Sequence, residues 1–235
     1  MVTAKHNIEQ SFPQQLYVSV NPAFEDQSEE PVWIPLPTNL VWHDNINDQK
    51  ADVVVADWRP ERGEAQYHGI LLTQFLEFLP VSKEIVGAGS DTKTVGLFPF
   101  FSSRTRHRPV VKSGAIALYP PDVVRGAKFE MEALLVESRS IGGLSGSPVF
   151  AADIRFGKIW YPFIGLTHGH WDFKSADEAE PAANSGMSIV SPGQKVIDIL
   201  FHEDVVSGRK EFDCLSLEEL ASGCDSSYGL VDTLN

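Results

Sequence analysis

Gly143-Leu144-Ser145-Gly146-Ser147-Pro148-Val149-Phe150 is the stretch on which the reading of this chain turns. Pro148-Val149-Phe150 reads as entry into a strand, so the residues before it form a tight turn at a strand end. Glycines on both sides of Ser145 permit backbone angles that other residues avoid. Such a turn can push a serine hydroxyl outward while its own N–H and that of Gly143, two residues earlier, converge on one point, as a nucleophilic serine requires. The helix-entering elbow G-x-S-x-G is excluded by spacing, because neither Ser145 nor Ser147 is followed two residues later by Gly. Taken alone, the octapeptide reads equally well as a plain hairpin turn between Leu134–Val136 and Val149–Phe150.

Outward from it the chain is punctuated as β proteins are. The 18 Gly and 15 Pro favour short strands and turns, and 235 residues suffice for one large β domain or two half-size barrels. Before the turn, Leu16–Val20, Val32–Leu36 and Asp52–Ala56 read as strands, the last a nearly continuous apolar run of the kind buried on both faces. Arg59–His68 reads as a polar linker. Glu84–Val86, Thr92–Phe98, Val110–Tyr119, Lys128–Val136, Ser147–Phe150, Ile159–Thr167 and Gly186–Val190 read as further strands, a density that suits a barrel or sandwich. Asp172–Asn184 reads as an exposed loop. Val196, Ile197 and Leu200 lie at helical spacing after Pro192, which predicts one closing helix over Gln194–His202.

Charge narrows the function classes. Lys and Arg number 19 against 32 Asp and Glu, a net charge of -13 that repels polyanions, so nucleic acid is not expected as a partner. The small basic group Arg104, Arg106, His107 and Arg108 reads as a solvated loop. The only cysteines, Cys214 and Cys224, lie in a C-terminal stretch, 203–235, with two basic and eight acidic residues. That stretch is expected to be loosely ordered, and the sparse cysteines point to a reducing, cytoplasmic compartment. No 18-residue apolar run and no basic-then-apolar leader is visible, so no membrane association is expected.

Two further motifs stand far from the turn. Thr3-Ala4-Lys5-His6 follows a short apolar strand end, and Asp52-Val53-Val54-Val55 places a carboxylate at the mouth of a buried strand. With G-L-S-G-S-P they run in the order His, Asp, Ser, which differs from the order in subtilisin and in α/β-hydrolases. In these motifs the chain resembles the trypsin-like serine peptidases of the disulfide-free bacterial type, whose motifs are T-A-x-H, D-[VIL]-A-[VIL] and G-x-S-G-x-P. Val54 stands where the family usually has Ala, and Leu144 where it often has Asp or Asn. Ile164-Gly165-Leu166-Thr167-His168-Gly169-His170 is similar to the family's cleft-lining strand, and Gly186–Val190 to its last barrel strand, so the likeness reaches about His202.

The resemblance implies an all-β fold of two chymotrypsin-like barrels plus a C-terminal helix. Residues 1–75 are then a partial, N-terminally truncated barrel carrying His and Asp, 76–202 a second barrel carrying Ser, and 203–235 an acidic tail. It implies peptide-bond hydrolysis with His6 as general base, Asp52 as its orienter and Ser145 as nucleophile, and with Gly143 and Ser145 N–H groups as oxyanion hole. The partner is a polypeptide substrate, and neither a metal nor an organic cofactor is required. Thr167, His168 and Gly169 are implied to line the substrate cleft. Arg139, six residues before Ser145, falls where relatives place the residue at the base of the pocket for the side chain preceding the cut. The alternatives are a catalytically impaired binding module on the same fold, a fragment of a longer peptidase, and an unrelated β-sandwich interaction protein.

Other residues invite other readings. His168 and His170, at i and i+2 on a strand, share one face, but two ligands are too few for zinc. Asp44 and Asp48 compete with Asp52 for the orienting role and read as solvated carboxylates. His43, His68, His107 and His202 are expected at the surface.

Overall fold

The computed structural model describes residues 1–9, 15–22, 30–58, 60, 65, 69–97, 106–126, 129–138, 143–173 and 183–208. Strands dominate. In chain order these residues form β1 (Val2–Thr3), α1 (Lys5–Glu9), β2 (Tyr17–Val20), β3 (Val32–Pro35), β4 (Trp42–Asp44) and β5 (Val54–Ala56). Two single 3₁₀ turns, Leu72–Gln74 and Leu76–Phe78, lead to α2 (Pro80–Ile85). Then come β6 (Asp91–Gly96), β7 (Val110–Arg125), β8 (Glu130–Glu137), β9 (Pro148–Ala151), β10 (Asp153–Arg155) and β11 (Lys158–Trp160). The described chain closes with β12 (Phe163–Phe173), β13 (Ala183–Pro192), α3 (Gly193–Leu200) and α4 (Glu203–Gly208).

The main body is a six-stranded antiparallel sheet in the order β12-β13-β8-β7-β6-β9. Strand β9 pairs with β6 on one side and with β12 on the other, so the last strand in this order also meets the first. Inside it pack Ile116, Leu134, Val136, Val149, Ala151, Ile164 and Val190, with Leu76 and Val86 from the preceding turns. Leu134 and Val136 on β8, and Val149 and Ala151 on β9, are alternate residues, as a two-residue repeat demands. The N-terminal strands make a three-stranded sheet, β1-β5-β4, and a separate ribbon, β2-β3.

A second core joins the two parts. Val53 and Val55 pack with Phe75, Phe163, Leu166, Val196, Ile197 and Ile199. The run Val54-Val55-Ala56 is buried throughout, because β5 is the central strand of the N-terminal sheet and Val55 packs into this core. Full burial of one such Val, Ile or Phe side chain contributes about 1.5–3 kcal/mol, so this seam is a substantial part of what fixes β5 and the residue that precedes it.

Several expected boundaries shift for identifiable reasons. Glu84–Val86, expected as a strand, is the end of helix α2, which starts at Pro80, where a missing N–H costs a helix nothing. Ile159–Thr167 divides at Pro162, since proline cannot donate to a ladder: β11 pairs with β10, and β12 begins at Phe163. The expected loop 172–184 is shorter, because β12 and β13 run on to Phe173 and Ala183. The expected closing helix is present as Gly193–Leu200, with Pro192 at its N-cap and Val196, Ile197 and Ile199 buried, but it is not the last: α4 forms at Glu203–Gly208, inside the stretch expected to be loosely ordered. Most of Arg59–His68 and all of residues 209–235, including Cys214 and Cys224, lie outside the described residues.

Candidate functional site

The register of the first sheet brings His6 to Asp52. Val2 pairs with Val55 and Thr3 with Val54, and continuing this antiparallel ladder carries residue 6 to the level of Ala51 and Asp52. Ala4 is fully buried, so the motif's small residue is required by packing before α1 turns away from the strand. His6 then binds Asp52 twice. Its Nδ1–H donates to Oδ2 at 2.7 Å, and its main-chain N–H donates to Oδ1 at 2.9 Å.

Burial pushes the Asp52 carboxyl up, but hydrogen bonds from His168 and His6 outweigh it and bring its pKa down to about 2. Asp52 is therefore ionised at neutral pH and can only accept, which assigns the proton of His6 to Nδ1 and leaves the lone pair on Nε2. The bond to Asp52 raises the pKa of His6 above its ordinary 6.5, while burial opposes the shift. Asp44 and Asp48 take no part. Asp44 accepts from Lys5 Nζ at 2.9 Å, and Asp48 lies 2.9 Å from Lys195 Nζ.

A second imidazole reaches the same oxygen. His168 Nδ1–H donates to Asp52 Oδ2 at 2.6 Å. The ring centroids of His6 and His168 are 5.3 Å apart, nearly perpendicular, and the Phe129 ring packs 5.2 Å from that of His168. The strand pairing explains how His168 comes to point there. Thr167 pairs with Val190 and Gly169 with Ile189, so His168 is an extra residue on β12, a bulge that re-aims its side chain.

The Ser145 turn is pinned to the same strand. Gly143 and Gly146 adopt φ of 94° and 83°, in the left-handed region that glycine tolerates. Ser147 N–H donates to Leu144 O at 3.0 Å, Gly146 N–H to Thr167 O at 2.7 Å, and Thr167 N–H to Ser147 O at 2.9 Å. Leu144, 2% exposed, anchors the turn from below. From α1, Asn7 Nδ2 donates to Ser145 O at 3.0 Å. The Ser145 hydroxyl donates to the main-chain carbonyl of His168 at 2.8 Å. Its single proton is thus directed to residue 168 and not to the ring of His6.

The remaining expected site residues fall as follows. The N–H groups of Gly143 and Ser145 meet no backbone acceptor among the described residues. The Thr167 side chain is buried, leaving its backbone to engage the turn, and the space beside Gly169 is open. Arg139 lies outside the described residues. His170 Nε2 lies 3.2 Å from Asp172 Oδ1 and takes no part in the cluster at Asp52. His107, expected at the surface, is half-buried and bonds Ser19 Oγ through Nε2 at 2.6 Å, and its main-chain atoms bond the Asn21 side chain.

Two relationships have no signal in the sequence, the contact of His168 with Asp52 and that of the Ser145 hydroxyl with the His168 carbonyl. Strand alternation places His168 and His170 on one face, and only the bulge separates them. No residue type marks that bulge. Compared with known proteins, the chain matches no protein-family model, and no curated protein matches it. The fold and site define a β-rich protein with a His–Asp–His cluster beside a serine-bearing turn. Among the described residues no helix is long and apolar enough to cross a membrane.

Proposed function

We propose that this chain is a serine endopeptidase, built on the two-barrel plan of the trypsin-like enzymes it resembles. The observation that carries the reading is the doubly held His6–Asp52 pair, with its free lone pair on Nε2, next to a glycine-flanked serine whose backbone is tied to the neighbouring Asn7. On this reading β6–β9, β12 and β13 make the C-terminal barrel, and the β1-β5-β4 sheet with the β2-β3 ribbon belongs to the first.

Chemically, Ser145 Oγ leaves the His168 carbonyl by side-chain rotation, a motion of picoseconds to nanoseconds for an accessible residue. It attacks the peptide carbonyl carbon as His6 Nε2 takes its proton, and the C=O π pair moves to oxygen, where the N–H groups of Gly143 and Ser145 hold it. Collapse expels the amine, which takes the proton from His6, and water hydrolyses the acyl-serine by the same sequence in reverse. Asp52 keeps the imidazole in the useful tautomer and stabilises the imidazolium. Thr167, His168 and Gly169 border the cleft, and a cation at Arg139 would favour an acidic side chain before the cut.

The test is Ser145→Ala assayed on a casein panel. Turnover falls on the order of 10⁴- to 10⁶-fold if Ser145 is the nucleophile, and an unchanged rate overturns the assignment. A second reading, a peptidase-like binding module without activity, is favoured by one observation: the Ser145 hydroxyl donates to His168 O and not to His6.

A further inference from the structure

A serine triad uses one imidazole on its carboxylate, and here there are two. We infer that His6, Asp52 and His168 form a binding site for a zinc-class divalent cation, with His6 Nδ1, Asp52 Oδ2 and His168 Nδ1 as ligands.

The three ligand atoms lie within 4.8 Å of one another and come from three separate parts of the fold: α1, the lead into β5, and β12. Two imidazoles and one carboxylate with open positions is an established donor set for divalent transition metals, with Zn–N near 2.0–2.1 Å and Zn–O near 2.0–2.2 Å. Atoms so held around a tetrahedral ion stand roughly 3.3 Å apart. The present separations, 2.7 and 2.6 Å, are hydrogen-bond lengths. Seating an ion therefore requires each ring nitrogen to move about 0.6–0.7 Å farther from Oδ2. The side chains of His6 and His168 are 28% and 20% exposed, so both can give way on the solvent side, where water completes the coordination.

The supporting groups are already in place. Asp52 Oδ1 is anchored by the His6 main-chain N–H, which leaves Oδ2 to face the shared centre, and Phe129 walls one side of the His168 ring. The bulge that turns His168 inward interrupts the β12–β13 ladder, and the triad chemistry has no use for the ring it delivers.

With the Asp52 carboxylate as acceptor, each ring holds a proton on Nδ1 in the metal-free protein. Ligation through Nδ1 displaces it, leaving the ring's remaining proton on Nε2. One consequence rests on the peptidase reading: Nε2 of His6 then has no lone pair, so the bound ion is an inhibitor.

The experiment is equilibrium dialysis of the full chain against zinc chloride, in a Cys214→Ser/Cys224→Ser background that removes thiolate ligands, with the absorption spectrum of the cobalt(II) form as second readout. One ion per chain is expected, retained in Ser145→Ala and weakened at least about 100-fold in His168→Ala and in Asp52→Asn, beyond what loss of a mere outer partner costs. Circular dichroism confirms that each variant is folded, and His168→Gln serves if His168→Ala is not. Absence of zinc from the parent chain, or zinc held equally by the His168 variants, overturns the site. Because Ser145→Ala keeps the ion, this result is independent of whether Ser145 is a nucleophile.

Discussion

His6 and Asp52 are joined by two hydrogen bonds, ring to Oδ2 at 2.7 Å and main chain to Oδ1 at 2.9 Å, so the imidazole is fixed in position and tautomer at once. Asp52→Asn keeps the shape and removes the charge, and an amide can present its N–H₂ to Nδ1 and select the wrong tautomer. If the proposed peptidase activity holds, turnover falls by about 10⁴-fold, as in triads that lose this carboxylate. Steady-state kinetics on a fluorogenic peptide measures it, and a loss below tenfold contradicts the orienting role.

The same pair sets the pH profile. His6 is a base only when neutral, and its bond to Asp52 raises its pKa above 6.5. The acid limb of kcat/KM, which reports the free enzyme, therefore has its midpoint above 6.5 in the parent chain and moves to lower pH in residual-activity assays of Asp52→Asn. In stability the sign is opposite to that of an acid: the His6 contribution is full below 6.5 and is lost as pH rises through its folded value.

Asp52 contributes in the other direction. Its folded pKa of about 2 lies below the ordinary 3.8, so its stabilisation is present above 3.8 and is lost as pH falls through about 2. The linkage amounts to ~2 kcal/mol at neutral pH. Urea unfolding of the parent chain and Asp52→Asn shows a gap that is widest at pH 5–6 and closes towards pH 2; a gap that does not change with pH contradicts this.

Gly146 is the hinge between the serine turn and the N-terminal strand. With φ at 83°, a Cβ there would fall 2.7 Å from Thr3 Oγ1 and 3.1 Å from Ala4 N. Gly146→Ala costs about 1–3 kcal/mol, read as a lower urea midpoint, and it reduces turnover because it displaces the segment that carries His6. Equal stability in parent and variant would show that the turn does not meet β1 as described.

Asn7 ties α1 to Ser145. Its amide donates to Ser145 O at 3.0 Å and to Thr3 Oγ1 at 3.3 Å. Asn7→Ala costs about 1 kcal/mol of stability and, on the proposed peptidase reading, lowers kcat more than it raises KM, since it loosens Ser145 relative to His6. A purely structural role would leave kcat unchanged.

Much of this was readable from the sequence because it is local. Thr3-Ala4-Lys5-His6 and Asp52-Val53-Val54-Val55 stand out as motifs through their order and their resemblance to a family, and the β1–β5 register brings His6 and Asp52 together. Strands β6, β8 and β9 and helix α3 followed from apolar spacing and flanking turns. Helix α2 did not, because Glu84–Val86 is too short to show a period and Pro80 lies outside that window. Nor did the role of His168 or the partner of the Ser145 hydroxyl. Both depend on a bulge in β12, which is a property of pairing with β13 and leaves no mark in composition or spacing.

The central claim is tested most directly by labelling the folded chain with a fluorophosphonate and mapping the adduct by peptide mass spectrometry. One adduct is expected on Ser145, absent in Ser145→Ala and nearly absent in His6→Ala. A folded parent chain that takes up no label, or one labelled equally when His6 is removed, contradicts it.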